Sequence, residues 1–274
     1  MASLSEALRS FAAVIVTGGS SGIGKSFIKL MFKVHPELCF CNLSRAEPEL
    51  KSDGLKLRHH GIDLSQHEQV ALGADAVIAW LESEVPAGRI LLINNSGFGG
   101  YGGFPRPDAG HNLEMIDLNV RALVGLTARL LPQLEARGGA IINVASTAAF
   151  QPTPWMATYG ATKAFVLHWS LALHEELKPK NVHVLAVCPG PTATGFFRKA
   201  GLKKGSVSPA LSMTADDVAM QSLHALAAGR AMVVTGWKNK LGAALITKLP
   251  KTWATWLSAR VLARFRLKQA DCMA

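Results

Sequence analysis

The amino-acid sequence predicts an α/β fold, a single doubly wound parallel sheet with helices on both faces. Three observations carry that expectation. Short apolar runs alternate with helical patterns along the chain, the mark of βαβ units joined by right-handed crossovers around a parallel sheet. A glycine-rich turn, Thr17-Gly18-Gly19-Ser20-Ser21-Gly22-Ile23-Gly24, lies at the first strand-to-helix junction. Finally, 274 residues, 49% of them hydrophobic, with a mean hydropathy of +0.21, suffice for one large core and argue against disorder.

The elements follow in order. Phe11 to Val16 is the first apolar run, so a strand is expected at 12–17, leaving through the glycine turn into a helix at 22–34. The second strand falls at 38–44, where Cys39 and Cys41 alternate, and the third at 55–62. A helix at 66–84 leads to a strand at 89–94, then a loop from Ser96 to Gly110 that holds five glycines before its end: Gly97, Gly99, Gly100, Gly102 and Gly103. A long helix at 111–136, a strand at 139–145, a helix at 155–178 and a strand at 182–188 come next. A second loop, opened by Pro189-Gly190-Pro191, runs to about Met213; a helix at 214–228 and a strand at 231–235 close the pattern. Both loops leave the carboxyl ends of strands, the edge where open sheets place ligands, and long loops in compact domains commonly bind them.

The glycine turn is a ready anion site. Backbone N–H groups at a helix start carry partial positive charge, and glycine lets a pyrophosphate approach the chain closely. Far downstream, Tyr159 and Lys163 set a phenol and an ammonium one helical turn apart on one face. A free phenol, with a pKa near ~10, is a poor base at neutral pH, and an adjacent ammonium is expected to lower it by roughly 1–3 units. Ser146, ending a strand at the carboxyl edge, can donate a hydrogen bond to the oxygen that Tyr159 would serve. Each residue alone has a plainer reading, a surface helix pair, a capping serine or a buried polar group. Together they suggest hydride chemistry.

In order and spacing these motifs resemble the short-chain dehydrogenase/reductase family over roughly residues 11–236. The resemblance rests on the glycine turn at 17–24, Asp63-Leu64 after the third strand, Asn94-Asn95-Ser96-Gly97 after the fourth, Asn119, Ser146, Tyr159 with Lys163, and Pro189-Gly190-Pro191-Thr192. Ser96 stands where the family usually has alanine. The resemblance implies a Rossmann-type domain, a catalytic set of Ser146, Tyr159, Lys163 and Asn119, the last through a water relay to Lys163, and a homo-oligomer, dimer or tetramer. It implies cofactor contacts at Thr17, Gly18, Ser20, Ser21, Gly22, Ile23, Gly24, Ser44, Arg45, Asp63, Leu64, Asn94, Ser96, Gly97, Tyr159, Lys163, Pro189, Gly190 and Thr192. Lys163 would also hold the nicotinamide ribose.

Charge decides which nicotinamide cofactor is expected. An NAD site usually carries an acid at the end of the second strand; here that strand ends Asn42-Leu43-Ser44-Arg45. Arg45 can fork onto a 2′-phosphate, with Lys25 adding charge, so NADP is favoured over NAD; Glu47 is the acidic alternative if the strand runs longer. The substrate is expected to be a small-molecule carbonyl or alcohol. Phe98, Phe104, Trp155, Phe196 and Phe197 hint at a lipophilic one, such as a 3-oxoacyl thioester, a steroid or an aromatic ketone.

No metal site is expected. His59, His60 and His67 flank a strand end, His168 and His174 are six apart on a helix, and His174-Glu175-Glu176 lacks the second histidine of a zinc-protease helix. Cys39, Cys41, Cys188 and Cys272 lack framework spacing and read as thiols of a reducing compartment. With no secretory signal and no run of 18 apolar residues, a cytoplasmic protein is expected.

The net charge of +10 is uneven. Residues 237–274 hold Lys238, Lys240, Lys248, Lys251, Arg260, Arg264, Arg266 and Lys268 against Asp271, a balance of +7, leaving +3 for the other 236 residues. Residues 1–236 thus form the catalytic domain, with a substrate loop at about 190–213, and 237–274 a basic helical extension packed on it. Leu257, Val261 and Phe265 make one helical stripe beside Arg260, Arg264 and Lys268, with Trp253 on the basic side. The favoured expectation buries Trp253, Trp256 and Phe265 over the cleft or in a subunit interface. The alternative is weak contact of 250–268 with an anionic membrane. No stacking platform for nucleic acid accompanies the charge. Two other classes stay open: a catalytically silent NADP-binding regulator, and a membrane-surface scaffold.

Overall fold

The computed structural model describes residues 4–50, 52–201 and 212–266. Seven parallel strands form one sheet in the order β3-β2-β1-β4-β5-β6-β7. They are β1 (Phe11–Thr17), β2 (Cys39–Ser44), β3 (Lys56–Gly61), β4 (Arg89–Asn94), β5 (Gly139–Val144), β6 (Val182–Cys188) and β7 (Met232–Val234). Strand order reverses between β1 and β4, so the chain leaves these neighbours in opposite directions and a crevice opens beyond their carboxyl ends. This is a Rossmann-type α/β domain.

The helices are α1 (Leu4–Arg9), α2 (Gly22–Val34), α3 (His67–Ser83), α4 (Ala109–Ile116), α5 (Ala122–Arg137), α6 (Ala157–Leu177), α7 (Phe196–Lys199), α8 (Ala215–Ala227), α9 (Trp237–Ile246) and α10 (Lys251–Arg266). Because alternate strand residues face opposite sides, the sheet feeds two main cores. Val14, Val16, Phe40, Leu91, Ile93 and Ile142 pack on one face with Phe27, Ile28 and Met31 of α2 and Val218 and Leu223 of α8. Ile15, Cys41, Leu43, Leu92 and Ile141 pack on the other with Val77 and Trp80 of α3 and Leu126 and Leu130 of α5. Cys39 and Cys41 belong to this second core, and with Cys188 they are buried free thiols; Cys272 lies outside the described residues.

One predicted element is divided. The long helix expected at 111–136 is α4 and α5 joined by a π-helical turn, Asp117–Arg121, with Asn119 at its centre. Such one-turn bulges insert a residue without ending the helix and often mark functional sites. The substrate loop is described only up to residue 201 and from 212.

Close backbone packing at β5 is testable. A Cβ on Gly139 would lie 2.9 Å from the Ile90 carbonyl oxygen and 2.7 Å from Leu134 Cδ2, whereas one on Gly61 would meet nothing within 4 Å. Gly139→Ala is expected to lose about 1–3 kcal/mol in urea unfolding, and Gly61→Ala to stay within about 0.5 kcal/mol of wild type. Equal stability of the two variants would contradict this packing.

Candidate active site

The crevice beyond β1 and β4 is a cleft of about 430 Å³. One end is built around the glycine turn. Thr17 Oγ1 accepts from Asn95 N and Ser96 N, both at 2.9 Å, tying β1 to the segment leaving β4. Gly18 N donates to Leu43 O, and Gly19 N donates to Asn42 Oδ1 at 2.7 Å, tying the turn to β2 on its other side. Gly18 and Gly22 have φ of +69° and +55°, and a Cβ on Gly24 would sit 2.4 Å from Gly18 O. Side chains are therefore excluded where a phosphate would need to approach the backbone. Helix α2 starts here with Ser21 at its N-cap, and no Ser21 side-chain bond caps the first turn. An uncapped helix start in a glycine cradle fits the diphosphate of a dinucleotide.

Ser44, Arg45, Asp63 and Leu64 continue this wall at the ends of β2 and β3. Arg45 is 67% exposed and faces Asp63 at 3.9 Å, while Asp63 Oδ1 accepts from Ser65 N and Oγ. Glu47 is exposed and is not part of the wall; nor is Lys25.

At the other end Ser146, Tyr159 and Lys163 share the cleft. Ser146 caps a 3₁₀ turn, Thr147–Phe150, its Oγ accepting from Ala148 N at 3.1 Å, and is also hydrogen-bonded to the Tyr159 phenol. Lys163 Nζ donates to Val144 O at 2.7 Å and lies 5.9 Å from the Tyr159 ring centroid. Burial pushes the phenol up to about 12, opposed by the Ser146 hydrogen bond, and pushes the lysine down to about 8. The expected lowering of the phenol by Lys163 is thus overturned in this structure. Desolvation of the charged form is the leading cause, and what opposes it is the Ser146 hydrogen bond rather than the Lys163 charge.

Asn119 is buried and stands behind the cleft wall rather than on it. Its Oδ1 accepts from Phe98 N, and its Nδ2 donates to Phe98 O and to Thr162 Oγ1. A Cβ on Gly97 would lie 2.9 Å from Asn119 Oδ1 and 3.5 Å from Lys163 Nζ, so glycine there lets Asn119 and Lys163 share a wall.

Of the expected cofactor residues, Gly18, Ser20, Ser21, Gly22, Ile23, Ser44, Arg45, Asp63, Leu64, Ser96, Gly97, Tyr159, Lys163, Pro189, Gly190 and Thr192 line the cleft. Thr17, Gly24 and Asn94 do not. Thr17 and Gly24 shape the cradle from behind, and Asn94 is buried in the sheet, donating to Thr127 Oγ1 and Asn143 Oδ1. Among the aromatic candidates Phe98, Phe196 and Phe197 line the cleft, Trp155 does not, and Phe104 is 79% exposed outside it. Asn95, which the sequence marks only as part of the motif after β4, donates from Nδ2 to Thr17 O and Gly18 O, and Asn42 holds Gly19; neither is among the expected site residues. The available signal for Asn42 was an amide within an otherwise apolar strand end. Among the described residues, no group of His, Cys, Asp and Glu is placed to hold a metal ion.

The family profile described as short chain dehydrogenase matches residues 12–205. The chain is similar to a very-long-chain 3-oxoacyl-CoA reductase of Rattus norvegicus, 28% identical over 239 residues, covering 81% of this chain and 75% of the rat protein. It is also similar to a serine 3-dehydrogenase of Rhizobium radiobacter, 31% identical over 219 residues, covering 75% of this chain and 84% of that one. Among solved structures, a short-chain dehydrogenase from Sphingobium yanoikuyae in complex with NADPH superposes with a TM-score of 0.72 at 27% identity, covering 88% of this chain and 96% of that one.

Proposed function

The chain belongs to the short-chain dehydrogenase family, and from that premise we propose that it is an NADP-dependent oxidoreductase interconverting a lipophilic ketone and its secondary alcohol. The observation that carries this reading is the meeting of Ser146, Tyr159 and Lys163 in the same cleft as the glycine cradle. Bound in the cradle, a nicotinamide cofactor would supply or accept the hydride. The residues of this chain would handle position and proton. Ser146 donates a hydrogen bond to the substrate oxygen and Tyr159 donates its proton there on reduction. The raised phenol keeps Tyr159 in its acid form at neutral pH, which suits that direction. Lys163 uses one donor on Val144 O, leaving others free for a ribose. Asn119, in its π-helical turn, would organise a water relay that resupplies the proton.

NADP is supported by the β2 end, where Ser44 closes the strand and exposed Arg45 follows it, both lining the cleft and neither an acid, and by the NADPH held by the Sphingobium relative. A lipophilic substrate is supported by Phe98, Leu118, Met156, Phe196 and Phe197 along the cleft and by the rat relative's activity on a 3-oxoacyl thioester. Assembly as a homo-oligomer belongs to the same reading; Phe165, exposed on α6 and stacked on Trp169, offers apolar surface that a second copy would cover. The reading is tested by following NADPH oxidation across 3-oxoacyl thioesters, steroid ketones and aromatic ketones. Absence of turnover on the whole panel, with NADPH bound, would favour a silent regulator.

Tyr159→Phe is expected to retain NADPH binding and lower turnover about 10²–10⁴-fold; rates within threefold of wild type would remove Tyr159 from the proton step. The pH dependence follows from the two buried groups. Reduction needs the neutral phenol, retained to about pH 12, and the Lys163 ammonium, lost above about pH 8. Reductive kcat/KM is therefore expected to fall as pH rises through about 8. A reductive profile flat to about pH 10 would show that the ammonium is not required.

Arg45→Asp is expected to move the NADPH-to-NADH ratio of kcat/KM toward NADH by about 10–100-fold, the worth of a lost charge-assisted bond. A wild-type enzyme already preferring NADH would contradict the role given to Arg45.

A further inference from the structure

The carboxy-terminal helices present their large apolar side chains outward. On α9 the inner face is Asn239, Ala243 and Ile246, and the opposite face carries Trp237 (73% exposed), Leu241 and Leu245. On α10 the inner face is Ala254 and Ser258, with Leu262 one turn on; Trp253 (68% exposed) and Trp256 (55%) turn away from it, and Leu257 and Val261 at its margin are also exposed. The expectation that Trp253 and Trp256 are buried over the chain's own cleft is therefore overturned. Small residues make the contact with the domain and leave the tryptophans outside it.

These faces are cationic as well as apolar. Lys238 and Lys240 of α9, Lys248 in the connection that follows it, and Lys251 and Arg260 of α10 are exposed, and residues 237–266 contain no Asp or Glu. None of the five is in an ion pair among the described residues. The guanidinium of Arg260 stacks 3.7 Å over the Trp256 ring, and Lys238 Nζ lies 5.7 Å from the Trp237 ring. Tryptophan paired with Lys or Arg suits a polar–apolar boundary, where the ring enters the acyl edge and the cation stays among headgroups. Among the described residues no helix is long and apolar enough to cross a bilayer, so contact would be with the surface.

We propose that α9 and α10 dock the protein on the surface of an anionic phospholipid membrane. Charge selects this occupant over a second copy of the chain, because two such faces brought together would oppose cation to cation without an acid between them. The surface adjoins the cleft. Tyr101 Oη, in the loop after β4, donates to Leu262 O of α10 at 2.7 Å, Lys251 Nζ donates to Phe150 O beyond Ser146, and Asn239 of α9 packs against Gly190. Docking thus sets the cleft near the lipid phase, a consequence that rests on the lipophilic substrate proposed above; the docking itself does not.

Full-length protein is mixed with vesicles of phosphatidylcholine alone, or of equal phosphatidylglycerol and phosphatidylcholine, and sedimented, with turnover measured separately on a soluble ketone. Binding is expected to the anionic vesicles and not to the neutral ones, and to weaken at least about tenfold when NaCl rises from about 0.05 to about 0.5 M. The triple variant Lys238→Glu, Lys240→Glu, Lys248→Glu and the double variant Trp253→Ser, Trp256→Ser are each expected to weaken it about tenfold or more. Both are expected to keep wild-type circular dichroism and melting temperature. Failure of wild type to sediment with anionic vesicles overturns the proposal, as does charge reversal without effect. A Trp253→Ser, Trp256→Ser variant that turns a lipid-free oligomer into a smaller species while wild type ignores vesicles assigns the face to self-association instead.

Discussion

The cleft depends on how the ends of β1 and β4 are tied together before their chains part. Thr17 Oγ1 accepts two backbone N–H groups from the segment leaving β4, and Asn95 Nδ2 returns hydrogen bonds to Thr17 O and Gly18 O. On the far side Asn42 and Leu43 hold Gly19 and Gly18. The glycine turn is thereby fixed from both neighbouring strands, and Gly24 brings the start of α2 close against Gly18 O. A loop so constrained presents a helix start without a conformational search, so the ordering cost of an anion site is met during folding rather than on binding.

At the opposite end the governing term is desolvation. Tyr159 and Lys163 are both buried, and each moves toward its neutral form, the phenol upward and the ammonium downward. Two groups that resist charging in a dry wall respond strongly to any charge placed beside them, because an interaction screened in water is larger there. Gly97 matters for the same reason: lacking a Cβ, it lets Asn119 and Lys163 sit against the β4 loop without a gap that would rehydrate the wall.

Strands β1, β2, β4, β5 and β6 and the main helices were legible because apolar runs buried on both faces differ sharply from their glycine- and proline-bounded connections, whereas the partly exposed edge strands β3 and β7 followed from their place in the alternation. The Ser146, Tyr159 and Lys163 set was legible as a spacing, and the cleft does bring the three together. The sign of the phenol's shift was not legible, since burial is a property of the packed wall and not of the i,i+4 pair. The π-helical turn at Asn119 was hidden too. Its neighbours Asp117, Leu118 and Val120 keep a helical pattern, and a single inserted residue offsets the stripe of α5 from that of the short α4 by only one position. Phe104 was misjudged because an aromatic in a glycine-rich loop can face either way.

The carboxy-terminal helices invert the usual reading, in which large apolar residues face the domain. Close approach here is made by Ala243, Ala254 and Ser258, so the bulky side chains at the remaining helical positions have nowhere to go but outward. Asn239 against Gly190, and Leu262 O holding Tyr101 Oη, nonetheless bind these helices to the two loops that form the cleft. Tyr101 itself is buried, its backbone N–H bonded to Ala200 O beyond α7. A force on the outer face of α10 therefore acts on the segment that carries Phe98 and, through Ala200, on the short helix that carries Phe196 and Phe197. The aromatic end of the cleft and the carboxy-terminal helices are thus joined by hydrogen bonds, and the same β4 loop meets the glycine cradle where Ser96 N donates to Thr17 Oγ1.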